Sequence, residues 1–205
     1  MRIGIFGGSF DPVHVGHLWI GEAATECLKL DRLLWIPTAT QPLKPGGAVA
    51  SDQQRFEMLR LAISGRDGHV VDDREIRREG TSYSIDTVSE LQAESPGNDW
   101  FFILGSDSLA SMPKWKDTDR LLNQVTLAVV QRGGEPAIDF TVLEGLCDSA
   151  RLDLFRCSIV TMPVIEISSS EIRTRVGEGR GVRYRVPHAV ETYLRDHRLY
   201  KEDSR

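Results

Sequence analysis

The sequence predicts a doubly wound α/β domain with a mainly parallel sheet and a C-terminal helical segment. Three observations lead there. Short, nearly continuous apolar runs at residues 3–6, 33–36, 100–104, 125–130 and 159–162 have the character of strands covered on both faces. Segments with apolar residues at helical spacing lie between them, as βαβ units require. The chain of 205 residues, 40% hydrophobic and 27% charged, suits one filled core, and no repeat, low-complexity tract or linker divides it. One domain over residues 1–205 is expected, with its helical C-terminal part at about 168–200.

The elements follow in order. The first run should be a buried strand that stops at Gly7-Gly8. Leu18, Ile20, Ala23, Ala24, Cys27 and Leu28 then recur at helical spacing between residues 16 and 30. A second strand ends at Pro37, and residues 38–50, rich in Pro and Gly, form a loop. Ser51 or Asp52 should cap a helix through Ile63, with Phe56, Leu59, Ala62 and Ile63 on its apolar face. Residues 69–71 suit a short strand and residues 84–93 a helix carrying Ile85, Val88 and Leu91. Trp19, Trp35 and Trp100 fall on these patterns and are expected in the core.

Composition removes several classes of function. A net charge of −5 lacks the basic footprint of a nucleic-acid binder, and the arginines at 180, 183 and 185 read as a solvated loop. No stretch nears the ~20 apolar residues of a membrane span. Gly7, Gly8 and Asp11 interrupt the first apolar run too early for a signal peptide, so a cytoplasmic location and no membrane partner are expected. The three cysteines, Cys27, Cys147 and Cys157, are odd in number and far apart, and are read as buried small hydrophobes.

In doubly wound sheets ligands bind beyond the carboxyl ends of the strands. The segments found there are GGSFDPVHVGH, PTATQPLK, GSDSLASMPKW and PVIEISSSEIR, all carrying Gly, Ser, His, Lys or Arg. Gly7 and Gly8 permit a turn whose N–H groups cradle an anion ahead of a helix N-terminus. His14 and His17, three apart, share a face once that helix has begun. Spacing leaves phosphate contact, zinc and plain packing all open for the pair; the lack of further ligands at motif spacing favours phosphate. The serines 168–170 before Glu171 suit a helix cap, and with Arg173 one turn in they also suit a phosphate. Asp107, after Gly105, can meet ribose hydroxyls or cap a helix, and Trp115 can stack on a planar ring or pack at the surface.

Together these blocks resemble the H-x-G-H nucleotidyltransferases, and within them the nicotinate-nucleotide adenylyltransferase family. The resemblance rests on GGSFDPVHVGH, on Arg55 to Leu59, on EIRREGTSYSIDT, on GSDSLASMPKW, on ISSSEIR and on VPHAVETYLRDHRLY, in order along the chain. It implies a Rossmann-like fold and transfer of the adenylyl group of ATP to nicotinate mononucleotide, with magnesium carried by the triphosphate. It also implies that His14, His17 and Arg173 are catalytic. Gly7, Gly8, Ser9, Phe10, Gly105, Asp107, Ser169 and Ser170 would bind ATP. Lys44, Ser84, Trp115 and Lys116 would bind the mononucleotide, with no metal ligand among the protein side chains. The loop after the second strand departs from the family pattern at Gln41 and Leu43. The partners implied are these two small molecules, and the sequence leaves a homo-oligomer open.

Overall fold

The computed structural model describes residues 1–42, 46–132 and 136–201. Its sheet has six strands: β1 (Arg2–Gly8), β2 (Arg32–Pro37), β3 (His69–Val71), β4 (Asp99–Gly105), β5 (Thr126–Arg132) and β6 (Val160–Met162). All pair in parallel, in the order β3-β2-β1-β4-β5-β6. That is the doubly wound order in which the chain reverses direction of travel between β1 and β4.

Strand alternation divides the core into two halves, one on each face. Leu33, Trp35, Phe101, Ile103, Ala128 and Val130 point to one side, where α1 (Val15–Leu28) and α2 (Asp52–Ala62) cover them. Leu34, Ile36, Trp100, Phe102, Leu127 and Val129 point to the other. There they meet α4 (Ser84–Glu94), α5 (Ser106–Ser111), α6 (Thr118–Gln124) and α7 (Ser149–Arg156). Between β3 and α4 comes the short α3 (Arg74–Arg78), and the chain closes with α8 (Ser169–Gly177) and α9 (His188–Asp196), whose Ile172, Val190 and Leu194 join the first half of the core.

Caps set the helix starts. Ser51 accepts from the Gln54 amide while Gln54 Oε1 accepts from the Ser51 amide, a reciprocal box that begins α2. Ser168 accepts from the Glu171 amide at 3.1 Å and begins α8.

Three expectations need correction. β1 runs through Gly7 and Gly8 because both still pair with β2, opposite Ile36 and Pro37. Trp19 is 50% exposed, because α1 turns that position away from the sheet. Cys27 and Cys157 are exposed and Cys147 is only partly buried: Cys27 lies on the outer side of α1, and Cys157 sits at the end of α7. Among the described residues no helix is long and apolar enough to cross a membrane.

Candidate active site

A cavity of about 750 Å³ opens at the carboxyl ends of β1 and β4. The chain leaves β1 for one face of the sheet, into α1, and β4 for the other, into α5. The crevice between them is the switch point where such sheets hold ligands.

One wall is the turn after β1. The chain reverses at Phe10, which takes a left-handed φ of 47° and whose ring is buried against Phe6, Trp35 and His17. Neither Gly7 nor Gly8 has a positive φ. Arg55, fully buried, holds the turn from beneath: Nη1 donates to Ser9 O at 2.7 Å, and Nη2 to Thr38 O at 2.5 Å and Asp52 Oδ1 at 2.6 Å. One guanidinium thereby joins the segments after β1 and β2.

His14 is the N-cap of α1 and His17 its third residue. Their rings stack, with centroids 3.7 Å apart. His17 Nδ1 accepts the His14 N–H at 3.2 Å, which leaves the proton of a neutral His17 on Nε2. Facing them is the start of α8. Ser169 Oγ donates to Pro12 O at 2.9 Å, Arg173 Nη2 to Ser170 Oγ at 3.3 Å, and Arg173 Nη1 to Asp11 O at 2.6 Å. Two imidazoles, a guanidinium and two helix N-termini thus converge on one wall, an arrangement that attracts polyanions.

The other end of the cavity is built by α4 and the segment after β4. Ser84 is the first residue of α4. Trp115 is fixed at its edges: Nε1 donates to Ser111 Oγ at 3.2 Å, and its ring meets Phe102 edge-on at 6.1 Å. Lys116 is tied down by Asp86 at 3.1 Å and lies 4.6 Å over the Tyr83 ring, so its ammonium is already engaged. Asp107 is exposed beside Gly105 at the mouth. Among the described residues no group of three or more His, Cys, Asp or Glu side chains gathers where it could hold a metal ion.

Every expected site residue within the described chain lines this cavity; Lys44 lies outside the described residues. Sequence reasoning missed Asp11, Arg55, Glu75 and Thr87. Glu75 is buried in the wall, with Oε1 accepting from Thr87 Oγ1 at 2.6 Å and Oε2 buried without a hydrogen-bond partner. Thr87 in turn accepts from Arg78 at 2.9 Å. A charged residue within each motif was the one available signal, and it says nothing of burial.

The doubly wound sheet, with a histidine-bearing turn and a serine-capped helix about its switch point, defines a nucleotide-binding protein of the Rossmann type. The chain belongs to the cytidylyltransferase-like family, whose model matches residues 5–175. It is 48% identical over 199 residues to a probable nicotinate-nucleotide adenylyltransferase of Rhodopirellula baltica, covering 97% of this chain and 93% of that one. It is 41% identical to the protein of the same description from Gemmatimonas aurantiaca, over 98% of this chain and 93% of that one. In fold it is similar to the Plasmodium falciparum nicotinic acid mononucleotide adenylyltransferase complexed with NaAD, with a TM-score of 0.75, 18% identity and 97% of each chain covered.

Proposed function

We infer that the protein is a nicotinate-nucleotide adenylyltransferase, which transfers the adenylyl group of ATP to nicotinate mononucleotide and releases pyrophosphate, giving nicotinate adenine dinucleotide. What supports this reading is that one cavity is lined by His14, His17 and Arg173 at one end and by Ser84 and Trp115 at the other, in a chain with full-length relatives of that name.

The acceptor's phosphate oxygen attacks the α-phosphorus in line as the bond to pyrophosphate breaks. No side chain becomes covalently attached, so the work is positioning and charge stabilisation. His17 donates from Nε2 to an α-phosphate oxygen. His14 and the amides of Ser9 and Phe10 line the triphosphate, Arg173 and Ser170 hold the leaving phosphates, and Asp107 accepts from a ribose hydroxyl. Among the described residues no cluster of His, Cys, Asp or Glu side chains gathers to hold a metal, so magnesium would arrive with the triphosphate and would offset its charge.

Trp115 stacks on the pyridine ring, and amides at Ser84 and Lys116 receive the nicotinate carboxylate. A carboxamide would turn an NH₂ donor toward those donors, and the acid is preferred for that reason. The test is pyrophosphate release from ATP and magnesium with either mononucleotide. Release should be clearly faster with the nicotinate form. No release with it, or faster release with the nicotinamide form, would overturn the reading.

A further inference from the structure

The phosphate turn carries a carboxylate that the mechanism above leaves unused. Asp11 is only 3% exposed, and its oxygens are engaged from three directions. Oδ2 accepts the Val49 amide at 2.7 Å and Oδ1 the Ala50 amide at 3.1 Å, where the segment after β2 enters α2. Oδ1 also accepts the Tyr200 hydroxyl at 2.6 Å, from 189 positions away in the sequence. Arg173 Nη1 lies 3.7 Å from Oδ2 and donates to the Asp11 carbonyl.

A carboxylate removed from water costs several kcal/mol unless hydrogen bonds and a countercharge offset it. Two amides and a phenol supply the hydrogen bonds here, and Arg173 is a cation 3.7 Å from Oδ2. Burial pushes the Tyr200 hydroxyl far above its ordinary ionisation, with Asp11 reinforcing the shift, so it remains a donor at any working pH. With the amides and the phenol spread over both oxygens, the charge of Asp11 is fixed in place beside Arg173. An unanchored arginine samples many rotamers, and each lost hydrogen bond to a developing anion weakens transition-state binding. Arg173 instead meets the cavity with Nη1 hydrogen-bonded to the Asp11 carbonyl at 2.6 Å and held 3.7 Å from its carboxylate charge, its side chain 29% exposed.

We propose that Asp11, braced by the Tyr200 hydroxyl, is a positioning residue that fixes the Arg173 guanidinium in the cavity, making the C-terminal turn part of the catalytic apparatus. This rests on Arg173 holding the leaving phosphates.

The test is Tyr200→Phe, which keeps the ring and removes the donor. Its kcat for pyrophosphate release should fall about fivefold to tenfold, with KM for nicotinate mononucleotide within about twofold. In the Arg173→Ala background the same change should alter kcat by less than about twofold, because both changes act through one guanidinium. Asp11→Asn removes the charge but turns an NH₂ toward the Val49 amide, so it should lower kcat likewise and lower the melting temperature as well. A purely structural contact would lower the melting temperature and leave the folded enzyme's kcat unchanged, or subtract the same factor with Arg173 absent. Either result overturns the proposal, as does failure of both variants to fold. A wild type that releases no pyrophosphate sinks the adenylyltransferase reading and this proposal with it. An active wild type beside an unimpaired Tyr200→Phe sinks this proposal alone.

Discussion

The imidazoles of His14 and His17 lie in a stack with planes 26° apart, and Gly16 between them in sequence leaves the space that His14 occupies. A Cβ at Gly16 would sit 3.1 Å from both Cε1 and Nδ1 of His14 and 3.7 Å from Ile165. Such contact is tight enough to move the ring by a few tenths of an ångström. Alanine is otherwise the better helix former, by up to about 1 kcal/mol at an interior position. Gly16→Ala should therefore lower kcat about tenfold with no fall in melting temperature. A variant that keeps full turnover would show that ring placement is not under this control.

His17 tests the phosphate role more directly. Its Nδ1 accepts from the His14 amide, which leaves the proton of a neutral ring on Nε2. Removing one preorganised donor to a developing oxyanion costs about 10²–10³-fold in kcat. His17→Ala should lose that much while its circular dichroism spectrum stays unchanged. Normal turnover would remove His17 from the chemistry.

The sheet and most of the cavity were legible in the sequence because their signals are local. Buried strands are continuous apolar runs, and ligand-bearing segments follow strand ends, so β1, β2, β4 and β5 and the segments beyond them could be placed from pattern alone. Cys27 and Trp19 escape prediction because an apolar residue on a helix does not reveal which way its position faces, and Cys147 and Cys157 lie outside the helices, where no periodicity applies. The left-handed φ of Phe10 has no local signal, because it is held by the packing of the ring in the core. Asp11 and Tyr200 meet across 189 positions, and no local pattern reports such a contact.

Arg55 bears on stability more than on chemistry. Its buried guanidinium donates to the carbonyls of Ser9 and Thr38 and to the Asp52 carboxylate, joining three segments. Lysine offers a point charge and cannot reach all three. Unmade buried hydrogen bonds cost about 1–3 kcal/mol each, so Arg55→Lys should lose about 2–4 kcal/mol in denaturant unfolding. KM for ATP should rise as well, since the Ser9 turn loses its support. A loss below about 0.5 kcal/mol, the range of ordinary surface changes, would contradict this account.

Glu75 gives a pH dependence with a definite sign. Burial pushes its carboxyl above the ordinary value of 4.5, against the opposing pull of Thr87, Ser82 and Arg78. An acid that binds its proton more tightly when folded lends stability at pH below its ordinary value and loses it as pH rises through the raised one. Glu75→Gln keeps an acceptor for Thr87 and cannot ionise. Its melting temperature minus that of the wild type should be near zero in acid and grow more positive as pH rises through that window. Thermal melts across a pH series measure this, and a flat or falling difference would refute it.

Trp115 separates the two substrates. Its indole is held by Ser111 and Phe102 at the end of the cavity away from the histidines, so its loss should be felt by the acceptor and hardly by ATP. Aromatic stacking is worth about 0.5–1.5 kcal/mol beyond buried area, and with that area the total is about 1.4 kcal/mol or more. Trp115→Ala should raise KM for nicotinate mononucleotide about tenfold or more, with KM for ATP within about twofold. Trp115→Phe should recover part of the loss, since a smaller ring still stacks but lacks the Nε1–H bond that orients it. Equal effects on both KM values would mean that the indole shapes the cavity as a whole and does not stack on the pyridine ring.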